Sequence, residues 1–321
     1  MRFDELPPEV LHQIAFSRWF SFSDLLNLIC ASEALFEKLT GDDYALTYLR
    51  SCTGVALCVR KSWPKSVKIA LKWDTPTLSD FICGLNRIKI VKLLLADSRV
   101  NPAAKNNYAI KWAAKHGHTE IVKLLLADPR VDPAAKDNYA IRSAACYGYA
   151  EIVKLLLADP RVYPAAHTNE AFLQACQNGH TEIVKLLLAD PRVDPANVFN
   201  LGFRKACQNG HTKIVKLLLA EPRVDPAAND NYAIMRTAKH GYAETVKLLL
   251  SDPRVDPTAN DNEAIRMAAR FGNAETVKVL LTDPRVDPTT KDNEAIRWAT
   301  YYDRTKIAEL LLADARVKAS T

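Results

Sequence analysis

The chain has 321 residues, 48% hydrophobic and 25% charged, with a formal net charge of +6. That balance is the one of ordinary soluble proteins with a sizeable core, and positive charge scattered without a basic run does not argue for nucleic acid. Seven cysteines at irregular spacings, with no secretory-type start and no apolar run near a membrane-spanning length, point to a reducing, soluble compartment, cytoplasmic or nuclear.

In chain order, the first predicted elements lie in residues 1–49. Pro7 and Pro8 launch a helix with Val10, Leu11 and Ile14 on one face, because proline's fixed φ and missing amide suit the first helical turn. Ser23 or Asp24 caps the next helix, and Leu25, Leu28, Phe36 and Leu39 fit two short amphipathic helices, which makes a small three-helix unit. Residues 50–76 carry Trp63, Pro64 and Trp73 among basic residues, and Val67, Ile69, Ala70 and Leu71 suit a degenerate half-unit covering the open end of a stack formed by the rest of the chain.

From Thr77 onward the sequence repeats. Pro102, Pro133, Pro164, Pro195, Pro226, Pro257 and Pro288 stand 31 residues apart, as do the lysines from Lys92 to Lys278 and the glycines from Gly117 to Gly272. This period divides the chain into eight units, the last shortened by the C-terminus. Each reads as two short helices, a glycine between them and a proline-punctuated return loop. Asn138 and its equivalents stand where a side-chain oxygen caps helix one. Ile141, Ala144 and Ala145 share a helical face, and the small alanines admit a close neighbour. Gly148 ends that helix as a left-handed cap. Ile152, Val153, Leu155, Leu156 and Leu157 make helix two too apolar for a surface, and the chain turns out at Pro160. One such unit cannot hide its apolar faces, so copies must stack into a continuous core, with the Lys-Leu-Leu-Leu leucines as its substance.

Positions fixed by stacking recur from copy to copy, and positions free to serve a ligand differ. One variable column of helix one reads Phe81, Trp112, Ser143, Gln174, Lys205, Arg236, Met267 and Trp298. Three residues on stand Gly84, Lys115, Cys146, Gln177, Gln208, Lys239, Arg270 and Tyr301, followed by Leu85, His116, Tyr147, Asn178, Asn209, His240, Phe271 and Tyr302. Residues three and four apart share a helical face, so these columns form an aromatic and basic strip of the composition found at protein interfaces. The candidate contact residues are Trp112, Lys115, His116, Tyr147, Lys205, Arg236, Arg270, Phe271, Trp298 and Tyr301. An arginine column from Arg99 to Arg316 could pass for a phosphate rail, but its acidic neighbours, such as Asp128 and Asp132, favour charge pairing between copies along the stack.

No phosphate loop, dinucleotide fingerprint, nucleophile elbow, paired-cysteine metal motif or His-Glu-x-x-His is present, so neither catalysis nor a cofactor or metal is expected. The turn histidines His116, His118, His180 and His211 suit structural hydrogen bonds, and Cys146, Cys176 and Cys207 suit core packing.

Gly117 to Leu126, Gly-His-Thr-Glu-Ile-Val-Lys-Leu-Leu-Leu, preceded by Ala113 and Ala114, closely resembles the ankyrin repeat. The resemblance runs from Thr77 to about Val317. It implies an all-α solenoid of eight helix-turn-helix repeats over residues 77–321, with ligands, usually proteins, held on a concave face by loop tips and helix-one residues. Ankyrin units run about 33 residues and open helix one with Thr-Pro-Leu-His. Here the opening is Tyr139-Ala140-Ile141-Arg142, the loop is shorter and its tip glycine is missing, so regular hairpin fingers are not expected. Residues 3–49 resemble an F-box: Leu6-Pro7-Pro8-Glu9-Val10-Leu11 followed by Asp24-Leu25-Leu26-Asn27-Leu28, with a departure in the aromatic stretch Phe16 to Phe22. That resemblance implies that Leu6, Pro7, Pro8, Val10, Leu11, Ile14, Leu25 and Leu28 meet a Skp-type adaptor, making the protein a receptor that couples a bound partner to a ubiquitin ligase. The alternatives are a helical cap on a plain scaffold or competitive binder, and more distantly an electrostatic nucleic-acid binder.

Overall fold

The computed structural model describes residues 88–320. The F-box-like segment, the 50–76 linker and strip positions Phe81, Gly84 and Leu85 lie outside the described residues. The chain divides after Ala140 into two compact units. The regular elements among the described residues are all helices: α1 Ile88–Leu95, α2 Ala104–Lys115, α3 Thr119–Leu126, α4 Ala135–Tyr147, α5 Ala150–Leu157, α6 Ala166–Asn178, α7 Thr181–Leu188, α8 Asn197–Gln208, α9 Thr212–Leu219, α10 Ala228–His240, α11 Ala243–Leu250, α12 Ala259–Phe271, α13 Ala274–Leu281, α14 Thr290–Tyr301, α15 Thr305–Ala313 and α16 Ala315–Ser320.

Within the second unit the stacking order expected from the repeat is observed. Helix-one elements α6, α8, α10, α12 and α14 each pack on the next of their kind, and helix-two elements α5, α7, α9, α11, α13 and α15 do the same. Ile141, Ala144 and Ala145 are fully buried on helix one, as are Ile152, Val153 and Leu156 on helix two. The leucine run divides, however. In α5 only the middle leucine, Leu156, is fully enclosed, while Leu155 and Leu157 are half-buried, because a helix clasped by two neighbours still turns part of its circumference outward.

Glycine ends helix one as expected. Gly179 caps α6 at φ 81°, and its amide is donated to the Ala175 carbonyl. A Cβ there would stand 2.8 Å from the His211 ring of the next copy, so the position needs glycine both for its backbone and for the close approach.

The asparagine at the start of helix one does something other than cap it. In α12, Asn260, Asp261 and Asn262 all hold left-handed backbone, φ 55–57°, before the right-handed helix begins, and the same three positions do so in α4, α6, α10 and α14. Three consecutive non-glycine residues in that region are costly, on the order of 1–2 kcal/mol each. The offset comes from the return loop that follows helix two: the Asp287 amide donates to Asn262 Oδ1 at 2.8 Å, and equivalent bonds run from Asp256 to Asn231 and from Asp225 to Asn200. Asn262 is only 5% exposed. The residue read as a cap is a buried tie from the start of helix one to the return loop 25 residues on.

The return loop is made of turns, with no strand among the described residues, in keeping with the missing finger glycine. Its arginine column is structural, but the pairing differs from expectation. The carboxylate partner lies within the same copy: Arg285 Nη2 donates to Asp283 Oδ2 at 2.7 Å. The bonds between copies go to backbone, Arg285 Nη1 donating to the Val255 carbonyl at 3.0 Å and Nη2 to that of Leu250 at 3.2 Å. Val255 closes the preceding loop and Leu250 ends the preceding helix two, where unpaired carbonyls attract a cation. The aspartate therefore aims the guanidinium and the neighbour's carbonyls receive it.

Hydrogen bonds from the arginines hold Asp128, Asp190, Asp252 and Asp283 below the ordinary carboxylate range. In the unfolded chain these groups titrate at about 3.9. The folded form keeps them ionised to lower pH, so their contribution is complete above about pH 5 and is lost as the pH falls through the unfolded and then the folded value. We expect the urea midpoint to fall steadily below about pH 4.5, with Asp283→Asn removing part of that slope. A midpoint flat from about pH 6 to 3 would contradict the assignment.

Candidate functional site

The variable columns of helix one run from a half-buried first column, in which Ser143 is enclosed, to an exposed third column that holds His116, Tyr147, His240 and Phe271. In the first unit, Trp112 stacks on His116 at 4.3 Å between ring centroids and on His118 at 4.8 Å. His116 Nδ1 lies 2.9 Å from the Trp112 carbonyl, to which it donates. Burial, then the neighbouring His116, lowers the His118 pKa. Trp112, Lys115 and His116 line a cleft of about 250 Å³ together with Tyr108, Lys111, Lys136 and Tyr139. Burial first and then the charge of Lys136 lower the Lys111 pKa.

In the second unit Tyr147 is 52% exposed, and Lys205, in α8 at the register of Arg236, is half-buried. A continuous ladder then runs across α10, α12 and α14. The Arg236 guanidinium lies 5.4 Å from the Tyr232 centroid. Lys239 Nζ stands 4.8 Å over Phe271, and Arg270 is 5.8 Å from the same ring and 4.6 Å from Trp298. Trp298 in turn stacks on Tyr302 at 5.6 Å and meets Tyr301 edge-on at 6.1 Å. Cations over aromatic faces are attracted by the ring quadrupole, so each repeat's cation is positioned by an aromatic of its own or a neighbouring copy. Phe271 and Tyr301 remain 45% and 76% exposed.

Between α10 and α12 the ladder opens into a cleft of about 450 Å³ lined by Tyr232, Met235, Arg236, Lys239, Glu263, Met267, Arg270 and Phe271. Arg236, Lys239 and Arg270 form no ion pair among the described residues, and Arg236 Nε is buried without a hydrogen-bond partner.

Among the residues singled out from the sequence, the structure brings together Arg236, Arg270, Phe271, Trp298 and Tyr301 in one run and Trp112, Lys115 and His116 in another. Tyr147 keeps the register of Phe271 and Tyr302, and Lys205 that of Arg236 and Trp298, but no contact joins either to the ladder. The opening tyrosines are site residues that the sequence reading missed. Tyr232 carries both Arg236 and, at 5.2 Å, Arg204, and the i,i+4 spacing of Tyr232 and Arg236 was the available signal.

The turn histidines are accounted for structurally. His180 Nε2 donates to the Cys146 carbonyl at 3.0 Å and His211 Nε2 to that of Gln177 at 2.9 Å. Cys176 and Cys207 are fully enclosed, and burial raises both thiols, which disfavours the reactive thiolate. No group of His, Cys, Asp and Glu suited to a metal occurs among the described residues. None of their helices is long and apolar enough to cross a membrane.

In-register helix pairs with a variable, aromatic and cationic edge define a tandem-repeat interaction module. The chain belongs to the ankyrin-repeat family: the family model described as Ankyrin repeats (3 copies) matches residues 81–164, 141–230, 172–261 and 234–321. That family is a non-catalytic protein–protein interaction module. No family model matches the F-box-like segment, and no curated protein matches the chain.

Proposed function

We propose that the protein binds a partner protein through the edge of helix one, using one patch at Trp112, Lys115 and His116 and another at Tyr147, Lys205, Arg236, Arg270, Phe271, Trp298 and Tyr301. The observation that carries this is the contrast between helix faces: the alanines and isoleucine that recur from copy to copy are buried, while the positions that change bear half-buried cations and tryptophans beside the exposed Tyr147, Phe271 and Tyr301. Exposed aromatic and arginine side chains are the anchors of protein interfaces. The test is a photo-crosslinking amino acid placed at Tyr147 or Phe271, with Lys154 on helix two as the reference. A discrete protein adduct at the first two, lost on Trp298→Ala with Arg270→Ala, is expected. Adducts formed equally well at Lys154 would contradict the reading.

We further propose the division 1–49, 50–76 and 77–321, with the first segment coupling the bound protein to a Skp/cullin-type ubiquitin ligase. The support is the pattern Leu6-Pro7-Pro8-Glu9-Val10-Leu11 placed ahead of a repeat array. Co-purification of the intact protein with a Skp adaptor, abolished by Leu6→Ala with Leu11→Ala while repeat melting is unchanged, is the expected result. Absence of association leaves a scaffold or competitive binder.

A further inference from the structure

We propose that the cleft between α10 and α12 receives an extended acidic segment of the partner, with carboxylates three residues apart that meet Lys239 and Arg270. This rests on the interaction-module reading above and adds the chemistry of the bound segment.

Four observations support it. Lys239 and Arg270 hold the same register one copy apart, so their spacing is that of adjacent packed helices, about 8–10 Å. Three residues of a polyproline-type chain advance about 9 Å and return to the same side, so acidic residues at i and i+3 of such a chain would match two successive copies. Third, Arg236 adds a cation whose Nε is buried and unpartnered, a donor that a carboxylate satisfies. Fourth, Met235, Met267 and Phe271 provide apolar wall between the charges, suited to an apolar or proline residue separating the acids. Local positive potential is also felt by His240, whose pKa is lowered by burial first and then by Arg236 and Lys239. Glu263 lines the same cleft. Its charge repels any anion beside it, so the cleft suits acids spaced out to Lys239 and Arg270 and not a continuous phosphate backbone, and its oxygens can accept a hydrogen bond from a peptide amide.

The test uses the full chain and a fluorescein-labelled peptide that repeats Glu-Pro-Leu, followed by anisotropy. Comparison peptides repeat Gln-Pro-Leu, or hold the same residues with the glutamates in one block. We expect the Glu-Pro-Leu peptide to bind at least about tenfold more tightly than either, and Lys239→Gln with Arg270→Gln to remove about that factor, while Arg297→Gln, on an exposed face away from the cleft, leaves binding unchanged. Lys239→Glu with Arg270→Glu should reject this peptide and accept its Lys-Pro-Leu counterpart, which separates loss of charge from loss of fold. Equal affinity for the glutamine peptide would overturn the proposal, as would tighter binding of a single-stranded oligonucleotide of the same charge through the same two residues. A partner crosslinked at Phe271 without selective peptide binding would overturn the acidic-segment proposal and leave the interaction-module reading standing. Failure of both would end both.

Discussion

Leu218→Ala is expected to lower the unfolding free energy by about 2–5 kcal/mol, the range for truncating an enclosed leucine. Leu218 is 0% exposed, together with Ile214 and Val215 on the same helix. Its helix, α9, packs between α7 and α11. The cavity therefore opens at the contact between copies. Leu217 and Leu219 flank it and are only half-buried, so Leu219→Ala should cost far less, on the order of 1 kcal/mol. Urea titration of the three proteins, read by far-ultraviolet circular dichroism, checks the ordering. Equal losses at Leu218 and Leu219 would mean that the leucine run has no single core-facing member.

The second large effect is expected at Asn262. Its Oδ1 accepts from the Asp287 amide at 2.8 Å, and its backbone sits at φ 57°. Alanine removes the acceptor and strands a partly buried amide, which costs about 1–3 kcal/mol. It also places a side chain poorly suited to left-handed backbone where asparagine is tolerated. Asn262→Asp keeps an acceptor and a tolerated residue type, so it should lose less. Hydrogen exchange at the Asp287 amide should quicken in Asn262→Ala before global unfolding, since the bond ties a return loop to the start of helix one and does not belong to a helix ladder. An alanine variant as stable as the parent would remove the tie from the account.

Much of the fold was legible because the repeat itself reports burial. Val153 and Leu156 stand at positions whose apolar character returns every 31 residues, and Ala144, Ala145 and Ile152 at positions that admit only small or apolar residues and threonine, such as the buried Thr237, Thr245 and Thr276; only a position fixed by packing is so restricted. The strip was legible for the complementary reason: Arg236, Arg270, Phe271 and Trp298 stand at positions that vary. The partners of recurring polar residues were not legible. Asn262 precedes a helix, which is what a cap does, and periodicity does not say that its backbone is left-handed or that its oxygen faces a loop 25 residues on. Arg285 has an acidic residue on either side, and spacing alone could not choose between Asp283 in its own loop and the carbonyls of the preceding copy. The ion pairs Arg142–Glu170 and Arg266–Glu294 escaped notice because they join different positions of successive copies, a relation that aligning like with like conceals. Tyr232 reads as a helix opener, although its ring holds two arginines.

The ladder across α10, α12 and α14 exists only if each copy is held in register by the next. The most direct measurement is a truncation series that removes the C-terminal copies one at a time, first residues 290–321 and then 259–321, with the urea midpoint recorded for each. Nearest-neighbour stacking predicts that the midpoint falls with every copy removed while the remaining helices keep their ellipticity per residue. A midpoint independent of copy number, or collapse of all helicity with the first deletion, would contradict it.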